Sequence, residues 1–414
     1  MATYLENQTL FAECIEAFRN KAASRSYQQE TVESILLTPF QVDTQWDLGE
    51  CKIDSSKRID HCSDIYGAFI SVVSSPPWID TENRGLYSVA LSSVISFVSL
   101  KVFKSAEKDL PILDEKIEFD EFLLCRLGFS YPIKISGKGA GGARLSQDRQ
   151  TALCNEVRDF IECLQAIDVD KYQKIMQSIR LVHLALLNRE VDFGLSYLLI
   201  VAAIESIAKE AVKRKSKQHL RESEWKQLAN ENTTIKELYD AYKESRGKNQ
   251  YLKERYVQFI LKYAPPGEWK NYVRHPYQDT VDSIQDVDPN TANEFHRYLT
   301  KKNFDERYPE DLGEHEIEKI LGDSYRYRSE FVHQGKQPPH NNPSTHNWFF
   351  EQGLESFPGR LDKKGSGYIK VTDKHNQSKY PRVIIEERIL PKYELLLGIA
   401  KHSIIKYTNE LPRT

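Results

Sequence analysis

Tyr325-Arg326-Tyr327-Arg328-Ser329-Glu330-Phe331-Val332-His333-Gln334-Gly335 closes a stripe that begins at Ile317 and runs through Ile320, Leu321 and Ser324. Steps of three and four residues trace one face of an α-helix. Gly335 followed by Pro338-Pro339 is a stop signal. Glycine takes the left-handed cap conformation, and proline cannot continue a helix. Arg328 continues the core-facing stripe four residues after Ser324. An arginine there is costly unless a partner or a ligand meets its charge. His333 lies five residues on, about 140° around the axis at ~100° per residue, so the two side chains do not stack on one face. His333 falls in the last turn, where helix carbonyls favour a cationic imidazole. A histidine that titrates near neutral pH beside a fixed guanidinium suits cleavage of a phosphodiester. The histidine moves a proton and the arginine stabilises charge on the phosphate. The same residues also have a structural reading, an arginine paired with a carboxylate and a histidine capping a helix.

Upstream, Tyr172, Ile175, Met176, Ile179, Val182, His183 and Leu186 follow the same helical spacing. His183 on that apolar face reads as a satisfied core histidine. Leu195 to Val212 is more apolar still and reads as the central buried helix. Glu205 is the only charge between Asp192 and Lys209. It is either a surface partner of Lys209 at i+4, a pair worth ~0.2–0.5 kcal/mol, or the group that orients Arg328 or His333. Downstream, residues 336–382 are rich in Pro, Asn, Gly, Ser and His and read as a long loop or insertion, with one hairpin around GSGYIKVTDKHNQSKYPRVII. The last helix is placed from near Pro391, a good first-turn residue, with Tyr393, Leu396, Leu397, Ala400, Ile404, Tyr407 and Leu411 on its buried face.

The first ~135 residues mix signals, as β-branched runs interleave with turns. ILLTPFQV and Ile65–Val73 read as short strands, and SSPPWID as a loop. SVALSSVISFVSLKVF is a strand or a buried helix, because periodicity alone does not separate them. SGKGAGGARLS (136–146) holds a literal GxGxxG at Gly137, Gly139 and Gly142. A dinucleotide site needs a second strand with an acidic end ~20 residues on, and a helical pattern stands there instead. The run also lacks the GK[ST] of a phosphate-binding loop, so it reads as a flexible linker. The expected fold class is mainly α. A mixed α/β sensing or regulatory domain spans 1–135, the Gly-rich linker 136–150, and a helical domain 151–414 with insertions near 210–320 and 336–382.

Across 414 residues, 57 Lys and Arg stand against 60 Asp and Glu, a net charge of −3. That excludes a histone-like protein and an acidic tail protein, but charge is segregated locally. Residues 209–262 carry about 14 Lys and Arg against 8 Asp and Glu, and residues 279–319 about 5 against 12. Arg326, Lys336 and the basic run 213–217 are candidate phosphate contacts, sequence-blind by nature. The six cysteines form no CxxC pair and do not match zinc-finger spacing. Asp60-His61-Cys62-x-Asp64 has no second pair at ligand spacing, so no metal and no cofactor is expected. The opening MATYLENQTLFAEC has no signal-peptide pattern, and no stretch reaches the ~20 apolar residues of a membrane span, so a reduced, cytoplasmic protein without a membrane segment is expected. A second Arg-x4-His, Arg214 with His219, lies in a polar stretch and reads as a solvated helix end. His340, His346 and His375 fall in the loop region, and no Ser/His/Asp hydrolase elbow is present.

Tyr325-x-x-Arg328-Ser329-x-x-Val332-His333-x-Gly335 resembles the signature helix of the HEPN superfamily, most closely its Apea-like branch. Residues 170–210 resemble the two preceding helices of that branch, ending in Ala203-Ile204-Glu205-Ser206-Ile207. LKERYVQFILKY (252–263) resembles its intervening helix, and the chain from Pro391 its closing helix. The resemblance covers about 151–414 with interruptions and nothing earlier. It implies a HEPN-like helical bundle and a metal-independent endoribonuclease. Members typically form a homodimer in which two Arg-x4–6-His motifs face one cleft. The RNA 2′-OH attacks its own phosphate, leaving a 2′,3′-cyclic phosphate, so no cofactor is needed. The resemblance implies Arg328 and His333 as the catalytic pair, with Ser329 and Glu205 in support. It also implies a place in antiphage defence, with a phage-derived trigger. Single-stranded or loop RNA is the expected substrate, because in-line attack needs a flexible backbone. The competing expectation is a catalytically silent nucleotide- or protein-binding module in which Arg328 is structural.

Overall fold

Residues 33–38, ESILLT, are β-branched and leucine-rich, and all but the first are buried. In the computed structural model this segment is β1 (Glu33–Thr38), inside an antiparallel sheet ordered β2 (Trp46–Asp47), β3 (Lys52–Ile53), β5 (Phe69–Ser74), β1 and β6 (Lys104–Ser105), with β4 (Lys57–Arg58) pairing β5. The structure describes residues 11–19, 32–58, 69–79, 83–105, 145–189, 191–213, 219–248, 251–274, 278, 281, 288–299, 308–335, 348–358, 368–370 and 383–413.

The ambiguous serine-rich stretch is a helix. α1 (Phe11–Arg19) packs on α2 (Arg84–Ser99), and α2 covers β1. Sixteen residues exceed a typical strand. The buried serines are satisfied: Ser92 and Ser93 donate to the Val89 carbonyl, Ser88 meets Ser34 at 2.9 Å, and Ser96 bonds the Phe103 backbone. Hydroxyls that bond their own helix carbonyls let polar residues sit in an apolar layer.

The rest of the described chain is mostly helical, so the protein is mainly α with a small sheet near its N-terminus. α3 (Gln147–Ala166), α4 (Val169–Asn188) and α5 (Phe193–Ala211) each start at a side-chain cap, from Ser146, Asp168 and Asp192. Residues 136–144 of the expected linker lie outside the described residues. Leu145 is buried, and the buried Gln150 donates to the Asp43 carboxylate at 2.7 Å. α6 (Glu222–Glu231) and α7 (Thr233–Lys248) form a hairpin that packs chiefly on itself. Its contacts are aromatic, with His219 stacked on Trp225 at 4.2 Å and Trp225 edge-on to Tyr242 at 5.3 Å. Then come α8 (Leu252–Tyr263), a 3-10 turn (Pro266–Asn271), α9 (Pro289–Leu299) and α10 (Glu314–Gln334). A three-stranded antiparallel sheet, β7 (Phe350–Pro358), β9 (Val383–Pro391) and β8 (Tyr368–Lys370), precedes α11 (Tyr393–Asn409).

The expected start of the last helix is corrected. Pro391 ends β9 opposite Phe350, and Lys392 is the residue before the helix. A proline fits a strand end as well as a first helical turn, because both positions spare its missing N–H. The hairpin expected around 365–385 is the β8–β9 pair, and β7 adds a third strand that the loop reading does not contain. Among the described residues no helix is long and apolar enough to cross a membrane. The described cysteines Cys14, Cys51, Cys154 and Cys163 are unbridged.

One hydrophobic core runs from Ile15, Leu36 and Val94 through Phe160, Ile179 and Ile204 to Leu396 and Tyr407. His183 fastens α4 to the N-terminal part of that core. It is fully buried, with Nδ1 at 2.9 Å from Ser93 Oγ and Nε2 at 2.8 Å from the Phe103 carbonyl. This matches the core-histidine expectation. Burial first, then the Arg180 charge, lowers its pKa from 6.5 to about 3.

Two predictions follow from this packing. Above pH 6.5 His183 is neutral in both folded and unfolded chains. As pH falls from 6.5 towards 3, the unfolded chain takes up a proton that the fold refuses. Stability therefore falls by up to about 1.4 kcal/mol per pH unit from this group. Urea unfolding across that window should show a shallower pH slope in His183→Asn, by about one proton; an unchanged slope rules the assignment out. The second prediction concerns glycine in helices. A Cβ at Gly398 in α11 meets Tyr272 Cβ at 2.7 Å and Tyr272 O at 2.8 Å, whereas one at Gly322 in α10 meets only the end of the Lys253 side chain. Gly398→Ala should cost about 1–3 kcal/mol. Gly322→Ala should be neutral or gain up to ~1 kcal/mol from helix propensity. Melting curves that rank the two the other way would sink the close-packing account.

Candidate functional site at the α5–α10 crossing

α5 is the most apolar helix, so it lies against α4, α8, α10 and α11. That placement buries Glu205, which is only 3% exposed. Lys209, one turn on, brings Nζ to 2.8 Å from Glu205 Oε1. From α10, Arg328 brings Nη2 to 3.4 Å from Glu205 Oε2. Glu205 therefore pairs with Lys209 as the i+4 spacing suggests, but as a buried carboxylate rather than a surface one, and it also faces Arg328 across the helices. Its cross-helix partner is Arg328 and not His333.

The stripe on α10 sets this register. Ile317, Ile320, Leu321 and Ser324 are buried, and Arg328 comes next on the same face, about a quarter exposed. Ser324 donates to the Leu321 carbonyl at 2.7 Å and lies 3.1 Å from the hydroxyl of the fully buried Tyr256 of α8. Tyr325 stacks obliquely on Tyr256, with centroids 5.5 Å apart, and the Arg328 guanidinium carbon lies 5.9 Å from the Tyr325 ring centroid. Burial, then the Glu205 charge, pushes the Tyr325 hydroxyl up to about 12, with Arg328 opposing.

The Arg328–Glu205 contact is an ion pair rather than a tight fork. Charge-assisted N–H···O bonds run ~2.7–2.9 Å, and this one is 3.4 Å. Glu205 Oε2 and Arg328 Nε are both buried and without a hydrogen bond among the described residues. The carboxylate thus anchors the arginine by charge and leaves most guanidinium donors uncommitted.

The other expected residues separate. Ser329 is half-buried beside Arg328. Arg326 is exposed, and its Nε donates to Glu330 Oε1 at 2.6 Å, so its charge is already met. His333 is exposed in the last turn. No hydrogen bond or ion pair joins it to Arg328 or Glu205 among the described residues. The Gly335 N–H bonds the Phe331 carbonyl at 2.9 Å, with Gly335 at φ 66°, the left-handed cap that the sequence calls for. Lys336, His340, His346, His375, Arg214 and the Asp60–Asp64 cluster lie outside the described residues. His219 is described, exposed and stacked on Trp225. Among the described residues no group of three or more His, Cys, Asp and Glu is placed to hold a metal ion. Sequence reasoning gave Tyr325 no role. Its i−3 spacing to Arg328 was the available signal.

This arrangement offers a cation held at the protein surface by a buried anion, and an exposed imidazole on the next turn of the same helix. Comparison of the chain with protein-family models, with curated proteins and with solved structures finds no match.

Glu205→Gln keeps the volume and removes the charge that both cations face. It should cost about 1–3 kcal/mol in chemical denaturation, because Arg328 loses its anion at a largely desolvated site. Lys209→Ala should cost less than about 1 kcal/mol, since Lys209 is largely solvated. Equal losses in the two variants would contradict a bond between α5 and α10 at this point.

Proposed function

We propose that this chain is a metal-independent endoribonuclease of the HEPN type, acting as a homodimer in antiphage defence. The observation that carries the reading is Arg328. It is a half-buried cation on the α10 stripe, fixed by Glu205 from α5, with His333 exposed five residues on. The resemblance of 325–335 to the HEPN signature adds the chemistry. In that chemistry the RNA 2′-OH attacks the adjacent phosphorus and the 5′-oxygen leaves, giving a 2′,3′-cyclic phosphate and a 5′-OH. His333 transfers a proton at one of the two oxygens. Arg328 takes up charge on the phosphoryl oxygens, where a planar guanidinium offers two parallel donors. Glu205 holds the Arg328 charge in place and does not meet the substrate, since it is buried. Ser329 supports Arg328 from the same turn. In this reading Arg326 serves RNA only after release from Glu330.

Pairing two such helices across a dimer brings a second Arg328 and His333 to one cleft, which places the separated side chains on either side of a single phosphate. The substrate in this reading is single-stranded or loop RNA. The residues before α3 restrain the nuclease until a phage-derived trigger arrives.

A second reading has one observation in its favour. Arg328 already has a carboxylate partner, as an arginine that holds two helices together would. On that reading the domain binds a nucleotide or a protein and cuts nothing.

Purified protein incubated with cellular RNA in EDTA, alone and after production during phage challenge, separates the two. The nuclease reading expects cyclic-phosphate ends and a loss of about 100-fold or more in His333→Ala and in Arg328→Ala. Arg328→Lys should also fail, because an ammonium lacks the planar fork. No cleavage in either condition by a dimeric wild type would favour the binding module.

A further inference from the structure

Arg328 is held by only two neighbours among the described residues, Glu205 and Tyr325. Glu205 has a closer partner, since Lys209 lies at 2.8 Å and Arg328 at 3.4 Å. The carboxylate therefore fixes where the positive charge sits but leaves the plane of the guanidinium free. Arg328 Nε has no hydrogen bond that would fix it. We propose that Tyr325 is the positioning residue of Arg328: its ring, one turn back on α10, lies under the guanidinium and sets the direction in which its uncommitted donors face. This inference rests on the nuclease reading for its catalytic consequence, although the placement itself is independent of it.

The ring is suited to the task because it is itself held. Tyr325 packs on Tyr256 with centroids 5.5 Å apart, and Tyr256 is fully buried with its hydroxyl 3.1 Å from Ser324. α8 therefore supports Tyr325, and Tyr325 supports Arg328. The hydroxyl end of Tyr325 feels the Glu205 charge and its ring faces the Arg328 guanidinium, so one side chain interacts with both members of the ion pair. A ring face within cation–π reach of the guanidinium biases its tilt, which a point contact with one carboxylate oxygen does not. Phosphoryl transfer depends on such aim, because small misplacements of a charge-stabilising group cost much of the rate. An aliphatic residue at 325 fills the space and loses this control, while phenylalanine keeps the ring face and loses only the hydroxyl.

The test combines two readouts on full-length wild type, Tyr325→Phe and Tyr325→Leu of matched melting temperature. Tyr325→Met replaces the leucine variant if that one melts early. The first readout is the rate of phenylglyoxal labelling of Arg328, followed by mass spectrometry of the Arg328 peptide. The second is steady-state cleavage of RNA. The proposal expects Arg328 to be labelled several-fold faster in Tyr325→Leu, with Tyr325→Phe close to wild type. It expects kcat to fall about tenfold in Tyr325→Leu with KM little changed, and to fall less in Tyr325→Phe. Equal labelling in all three proteins overturns the proposal, and so does faster labelling with kcat untouched in an active enzyme. If labelling changes as expected and wild type cuts no RNA, the placement of Arg328 stands and the nuclease reading is what fails.

Discussion

A carboxylate buried in the most apolar helix of a protein demands cations, and Glu205 makes that demand at the centre of this one. Desolvating a lone carboxylate costs several kcal/mol, and the cost is met only when opposite charge arrives at close range. Lys209 supplies one cation from the same helix, and Arg328 supplies the other from α10. The second contact is the consequential one, because it ties α10 to α5 in the register that the buried stripe Ile317, Ile320, Leu321 and Ser324 sets. Ser324 then meets Tyr256, Tyr325 packs on the outer face of the same tyrosine, and the last turn carries His333 to the surface. The charge requirement and the apolar stripe thereby turn the same helix face inward.

The same logic of satisfied polar groups joins the N-terminal sheet layer to the helices. His183 Nε2–H donates to the Phe103 carbonyl, its Nδ1 faces Ser93 Oγ, and the ring is fully buried between α4 and α2. Ser178 and Ser206 bond each other between α4 and α5. A polar contact therefore stands at each step from α2 through α4 and α5 to Glu205, within one continuous core.

Much of the helical layout was legible because period and caps agree. The apolar run at 193–211 follows an Asp192 cap, the 317–334 stripe ends at Gly335, and residues 252–263 form a helix where the family resemblance implies one. The serine-rich α2 was ambiguous because its hydroxyls hide the apolar period, and they are buried only because backbone carbonyls receive them. Pro391 misled because its ring suits two positions, and only the pairing with Phe350 decides between them. β7 was not legible, since its ladder partner lies beyond β8 in the chain. At the site, Arg328 and Glu205 each stood out as charges on apolar faces, but the contact between them is long-range and local spacing pointed only to Lys209. Tyr325 was invisible as a positioning group because an aromatic residue at helical spacing reads as core.

The α6–α7 hairpin leans chiefly on itself, with Leu220 almost fully exposed and only Ala229 and Tyr239 buried among its described side chains. Its helices are thus kept by a short aromatic ladder rather than by the central core. Such a unit opens on its own, at a free energy well below that of the whole molecule. Amide protons in 222–248 should then exchange by local opening, while those of α5 wait for global unfolding. The molecule carries two clocks, and the faster one belongs to a segment whose melting leaves the Glu205 crossing intact.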